Sequence, residues 1–280
     1  MAAGRAAVCR RLAALILVLG ACGMPWANQP AQPFRPHFFL IVLENKGPAV
    51  LGEATYLAHL ASTYARATNY RAVAHPSLPN YLALTSGSTW GITDDGYHAL
   101  PAGGIGDAMT AAHIPWRAYM EGLTGDCRAS SGGYVVKHNP FAYYGGACPS
   151  SVVSFSTLMA DLARGTYRFT WITPDLCHDM HDCSVAVGDS WLEETVPAIT
   201  ASGSWRRDGV LFIVFDEDDG SSPDDLVPLV VVSPRLKGVT ITTRYDHYSL
   251  LATIEDRLGL SRLGASDGAR PIEEIPKPQG

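Results

Sequence analysis

Apolar positions fall into short continuous runs, separated by stretches with helical spacing. Residues 38–43 form an unbroken apolar run, and similar runs lie at 169–173, 210–215 and 226–232. A run of this length without alternation reads as a strand covered on both faces. Shorter strand candidates are 69–74 and 116–120. Helical patterns occupy 56–67, 79–84, 105–112, 154–163, 190–201 and 247–258. Strands alternating with helices predict an α/β fold, a three-layer α/β/α sandwich around a mostly parallel central sheet. The pattern shows no internal repeat and no linker to a second domain.

Polar residues gather just after the strand runs. Glu44 and Asn45 follow the first; His75 and Ser77 follow 69–74; Glu121 follows 116–120; Asp175 follows 169–173. Asp216 and Glu217 come at the end of the 210–215 run. In open parallel sheets, ligands bind outside the carboxyl ends of the strands. Carboxylates converging on that edge repel one another unless a cation offsets them, and a divalent metal is the natural one. Adjacent Asp216 and Glu217 can serve one site only if the strand has ended and turned. The following Gly220-Ser221-Ser222 permits that.

Composition adds class and location. The chain has 280 residues, 47% hydrophobic and 17% charged, which fits one globular domain rather than a disordered chain. A net charge of −6 gives no electrostatic footprint for nucleic acid, and no such partner is expected. Arg5, Arg10 and Arg11 precede an apolar stretch, 12–19, shorter than the roughly 20 residues a spanning helix needs. This reads as an export signal. Leu19-Gly20-Ala21-Cys22 resembles a lipobox, which implies a signal over 1–21 and a lipid on Cys22. The alternative is a plain secretory signal cut near Ala27. Residues 22–36, rich in proline, read as a tether, and 37–280 as the single folded domain. The membrane would be reached only through Cys22. The protein would sit on the outer face of the membrane or in the periplasm, or be secreted.

With Cys9 lost with the signal and Cys22 lipidated, four cysteines remain: Cys127, Cys148, Cys177 and Cys183. An even number in an exported chain suggests two disulfides, and three pairings are open. The local pairs Cys127–Cys148 and Cys177–Cys183 are favoured because each closes one loop. A thiolate metal site is the rival, weakened by spacings unlike those of zinc ribbons.

Six motifs carry a family resemblance: Leu43-Glu44-Asn45-Lys46, His75-Pro76-Ser77-Leu78-Pro79-Asn80-Tyr81, Lys137-His138-Asn139-Pro140, Asp179-Met180-His181-Asp182, Asp216-Glu217-Asp218-Asp219-Gly220 and Asp246-His247-Tyr248-Ser249. In this order they resemble the bacterial phosphoesterase family of acid phosphatases and phospholipases C, within the alkaline-phosphatase-like superfamily. The short secreted acid phosphatases are the nearest branch. The resemblance implies a divalent ion (Mg, Ca, Mn or Zn) held by Glu44, Asn45, Ser77, Asp216 and Glu217. It also implies that Ser77 is the nucleophile. Ser77 is expected near the N-cap of the helix that Pro79 opens, where free N–H groups welcome phosphate. Asn80, Lys137 and His138 are expected to hold phosphate oxygens; His75 is expected to do likewise or simply pack, and His247, in or near the site, to bind substrate with them. His181 is expected to protonate the leaving oxygen. The implied reaction is hydrolysis of a small-molecule or lipid-headgroup phosphate monoester through a phosphoserine. Phospholipase C or other phosphodiesterase activity is one alternative, and a non-catalytic phosphate- or metal-binding lipoprotein is another. Asp218-Asp219-Gly220, where phospholipase relatives often carry a double glycine, weighs against the lipase.

Overall fold

Burial on both faces is the rule for the apolar runs. Phe38 to Leu43, Phe169 to Thr173 and Gly209 to Phe215 are buried throughout. The computed structural model describes residues 36–203, 205–222 and 224–277. The signal, Cys22 and all of the tether except Pro36 lie outside the described residues.

The strands are β1 (His37–Leu43), β2 (Ala65–Ala67), β3 (Tyr70–Arg71), β4 (Trp116–Met120), β5 (Val152–Ser154), β6 (Phe169–Thr173), β7 (Gly209–Phe215), β8 (Leu229–Val232), β9 (Val239–Ile241) and β10 (Tyr245–Asp246). The helices are α1 (Thr55–Thr63), α2 (Ser77–Ser86), α3 (Ile105–Ala111), α4 (Leu158–Arg164), α5 (Val185–Ala201), α6 (Trp205–Asp208) and α7 (His247–Leu258). The main sheet runs β5-β4-β6-β1-β7-β8-β2-β9. Among the described strands only β8 pairs antiparallel with its neighbours, so the sheet is mostly parallel as expected. α1, α4, α5 and α6 pack in one group and α2, α3 and α7 in another. Two helical groups against doubly buried strands make the three-layer architecture.

Some elements differ from expectation. The helix expected over 56–67 ends at Thr63, and Ala65–Ala67 joins the main sheet between β8 and β9. Of the strand expected over 69–74, Tyr70–Arg71 pairs with β10 in a separate two-stranded sheet. The 226–232 run forms a strand only from Leu229. Helix α5 begins at Val185, five residues before the expected start. Both local disulfides form, Cys127–Cys148 and Cys177–Cys183.

The register of β1 against β7 positions the site. Leu43 lies opposite Phe215, so Glu44 and Asp216 leave the sheet side by side. Asp216 N–H donates to Leu43 O at 3.0 Å, and Asn45 N–H to Asp216 Oδ1 at 3.0 Å. Asn45 has φ 50°, a left-handed conformation that Asn tolerates better than most residues.

Candidate active site

Ser77 is the first helical residue of α2, with Pro76 as N-cap. Its Oγ donates to Glu44 Oε2 at 2.9 Å and lies 3.3 Å from Glu217 Oε1. The strand has ended before Asp216 and Glu217, as their joint use requires. Glu44, Asn45, Ser77, Asp216 and Glu217 thus converge from three chain segments. Among the described residues, Asn45 Oδ1 and Asp216 Oδ2 are buried without a hydrogen-bond partner. Burial pushes the Asp216 carboxyl well above its ordinary range, and Glu44 and Glu217 add to it. Burial likewise raises Glu217, to about 7. Buried oxygens that lack donors, among carboxyls that repel one another, fit a divalent cation.

Glu44 has further partners that the sequence did not announce. Tyr81, one turn along α2 from Ser77, donates to Glu44 Oε1 at 2.5 Å. His138 stacks on Tyr81 and sits between two carboxylates, Nε2 at 3.2 Å from Glu44 Oε1 and Nδ1 at 3.1 Å from Asp179 Oδ2. Burial opposes charge on His138, but Glu44 and Asp179 outweigh it and raise its pKa to about 9. Burial would also raise Glu44, yet His138 and Tyr81 hold its pKa below the ordinary value. These three ligand types lie close enough for a metal. The His138 ring braced between the two carboxylates also suits a structural role there.

That placement corrects the expectation for His138. With both ring nitrogens facing carboxylates and 1% of the residue exposed, it backs Glu44 instead of clamping phosphate. Asn80 is corrected too. Its Oδ1 accepts from Val73 and Ala74 N–H, and its amide nitrogen donates to Ala74 O at 2.7 Å. The whole amide is spent on the turn that delivers Ser77. His247 is a third correction. Burial lowers its pKa to about 4, so it is neutral, with Nε2 on Asp216 O at 2.6 Å and Nδ1 on Tyr70 OH at 3.0 Å. It pins the backbone of Asp216 and is wholly buried.

His75 is exposed, with Nδ1 2.6 Å from Glu217 Oε2 and Nε2 3.0 Å from Asp225 Oδ1. Burial works against its charge, and Asp225, Glu217 and Asp218 outweigh it, raising its pKa. Lys137 Nζ meets Asp95 Oδ2 at 3.0 Å. His181 is partly exposed, its ring 5.9 Å from that of His138 and its Nδ1 2.7 Å from Asp182. The loop closed by Cys177–Cys183 carries both Asp179 and His181. The other disulfide reaches the site indirectly. Tyr134 OH donates to Cys127 O and accepts from Asn139, next to His138. Thr173, at the end of β6, holds His138 O at 3.1 Å.

Not every carboxylate on this edge joins the centre. Glu121 and Asp175 group separately with His178, whose Nδ1 is 2.9 Å from Glu121 and 3.4 Å from Asp175. Sequence reasoning missed Tyr81, Asp179 and Asp95. The i, i+4 spacing of Tyr81 from Ser77 was a readable signal. Asp179 lay inside a recognised motif, and Asp95 had no signal at all.

Fold and site together define a hydrolase acting on phosphate esters. The chain belongs to the Phosphoesterase family, whose sequence profile matches residues 51–261. It is 32% identical to the phosphate-repressible acid phosphatase of Penicillium chrysogenum, over 89% of this chain and 68% of that one. It is 31% identical to the phosphatidylinositol-3-phosphatase of Mycobacterium tuberculosis, over 88% of this chain and 84% of that one. In structure it is similar to an alkaline phosphatase superfamily protein from Vibrio parahaemolyticus. The TM-score is 0.57 at 14% identity, covering 87% of this chain and 70% of that one. This last likeness concerns the fold.

Proposed function

We propose that this chain is an exported, metal-dependent phosphatase that hydrolyses phosphate monoesters through a phosphoserine on Ser77. The observation that carries the reading is the placement of Ser77. Its hydroxyl opens a helix between Glu44 and Glu217, in a cluster where Asn45 and Asp216 hold unpartnered buried oxygens. A divalent ion held by Glu44, Asn45, Asp216, Glu217 and Ser77 would lower the pKa of the hydroxyl and offset phosphoryl charge. Ser77 Oγ attacks phosphorus in line, the new O–P bond forming as the ester O–P bond breaks. Leu78 N–H and the Lys137 ammonium, both bonded to Asp95 at rest, would donate to the phosphoryl oxygens. His181 gives the proton to the leaving oxygen, and water then hydrolyses the phosphoserine. His138 and Tyr81 hold Glu44 ionised and in place, and His247 fixes Asp216.

The relatives named for phosphatase activity support a monoester over a diester. Export rests on the N-terminal sequence alone, and the lipid anchor on Cys22. One assay separates the readings: release of nitrophenol from para-nitrophenyl phosphate and from its phosphorylcholine ester, with and without chelator. The expected result is turnover of the first, little of the second, and loss of both with chelator. Preference for the diester would shift the reading to a phospholipase, and no turnover of either to a binding protein.

A further inference from the structure

The anion cradle beside Ser77 already holds an anion of the chain's own. Asp95 lies in the segment joining α2 to α3. Its Oδ1 accepts the N–H of Leu78 at 3.0 Å, and its Oδ2 accepts Lys137 Nζ at 3.0 Å. Leu78 follows the nucleophile directly, at the positive end of a ten-residue helix. Lys137 also acts electrostatically on Glu44. A phosphoryl group bonded to Ser77 Oγ would present its oxygens to these same two donors. A carboxylate carries the same sign of charge, and its two oxygens span a comparable distance.

We propose that Asp95 is a built-in competitor for the phosphate subsite, its carboxylate filling the cradle at rest and being displaced when the phosphoryl group binds. This rests on the assignment of Ser77 as nucleophile. The exchange keeps the Leu78 N–H and the Lys137 ammonium paired throughout, and leaving either unpaired is costly. It also sets a penalty on phosphate affinity, which favours release of the product. A cap for α2 alone would need one acceptor oxygen, which Ser or Asn supplies equally well. Asp95 instead commits its second oxygen to the Lys137 ammonium, which acts electrostatically on Glu44 and Asp216. Its neighbours Thr93, Asp94 and Gly96 are exposed, so displacement disturbs no core. Asp94 takes no part, being bonded to Gly96 N–H and His98.

The test is calorimetric titration of inorganic phosphate into metal-supplemented wild type, Asp95→Asn and Asp95→Ser, with melting curves confirming the fold. Asp95→Asn keeps an acceptor for Leu78 while removing the negative charge. The expected result is phosphate binding at least about threefold tighter in both variants, with a matching fall in KM for para-nitrophenyl phosphate. Unchanged or weaker phosphate binding in the variants, against measurable binding to wild type, overturns the competitor and leaves Asp95 as a brace for Lys137. Phosphate that binds none of the three proteins overturns the competitor together with the site itself.

Discussion

At the residue scale, the site depends on a buried imidazolium. His138 is held between Glu44 and Asp179, and its pKa of about 9 lies above the ordinary 6.5. Between those values the folded protein holds a proton that the unfolded chain has released. Its stabilisation is therefore complete below about pH 6.5 and lost as pH rises through about 9. In metal-free protein, denaturant melts should show stability falling across that window by on the order of 3 kcal/mol. His138→Gln should flatten the slope; an unchanged slope would mean that His138 is neutral in the fold. Little of this arrangement was legible in the sequence. The motifs marked Glu44, Ser77, His138, Asp216 and Glu217 as a set, but not which face the substrate. Asn80, His138 and His247 carry donors that suit a phosphate, and only their packing shows Asn80 and His247 bonded within the fold and the His138 ring buried between two carboxylates.

At the element scale, the two disulfide loops should contribute differently. The loop-entropy relation gives about 3 kcal/mol for the Cys127–Cys148 bridge and about 2 kcal/mol for the shorter Cys177–Cys183 loop. The shorter loop carries Asp179 and His181, whereas the longer one reaches His138 only through Tyr134 and Asn139. Replacing Cys127 and Cys148 by Ser should therefore cost more stability, and replacing Cys177 and Cys183 more kcat. Paired melting and steady-state measurements check this, and the reverse order would contradict it. Helix α2 was legible because Pro79 suits a first turn, and its core was placed correctly. The end of α1 was not, because Ala65–Ala67 has helix-forming residues that pairing with β8 and β9 overrides.

At the scale of the whole molecule, the α/β class and the mostly parallel sheet were legible from continuous apolar runs. Strand order was not, because it depends on crossovers rather than on local pattern. Nor was the division of the edge carboxylates, which puts Glu121 and Asp175 with His178, apart from Glu44 and Asp216. If the central cluster binds a divalent ion, ion binding is coupled to folding. Adding ions singly to chelator-treated protein should raise the melting temperature of wild type by several degrees. Asp216→Ala should not respond, and Ser77→Ala should respond almost as wild type does. Ser77→Ala should nevertheless lose turnover by several orders of magnitude, because the covalent path is gone. The most direct test of that path is acid quench of wild type during turnover of para-nitrophenyl phosphate, followed by peptide mass mapping. The expected result is one phosphoryl group on the peptide containing Ser77, absent from Ser77→Ala. An actively turning-over enzyme that yields no phosphopeptide, or carries the phosphoryl group on another residue, would contradict it.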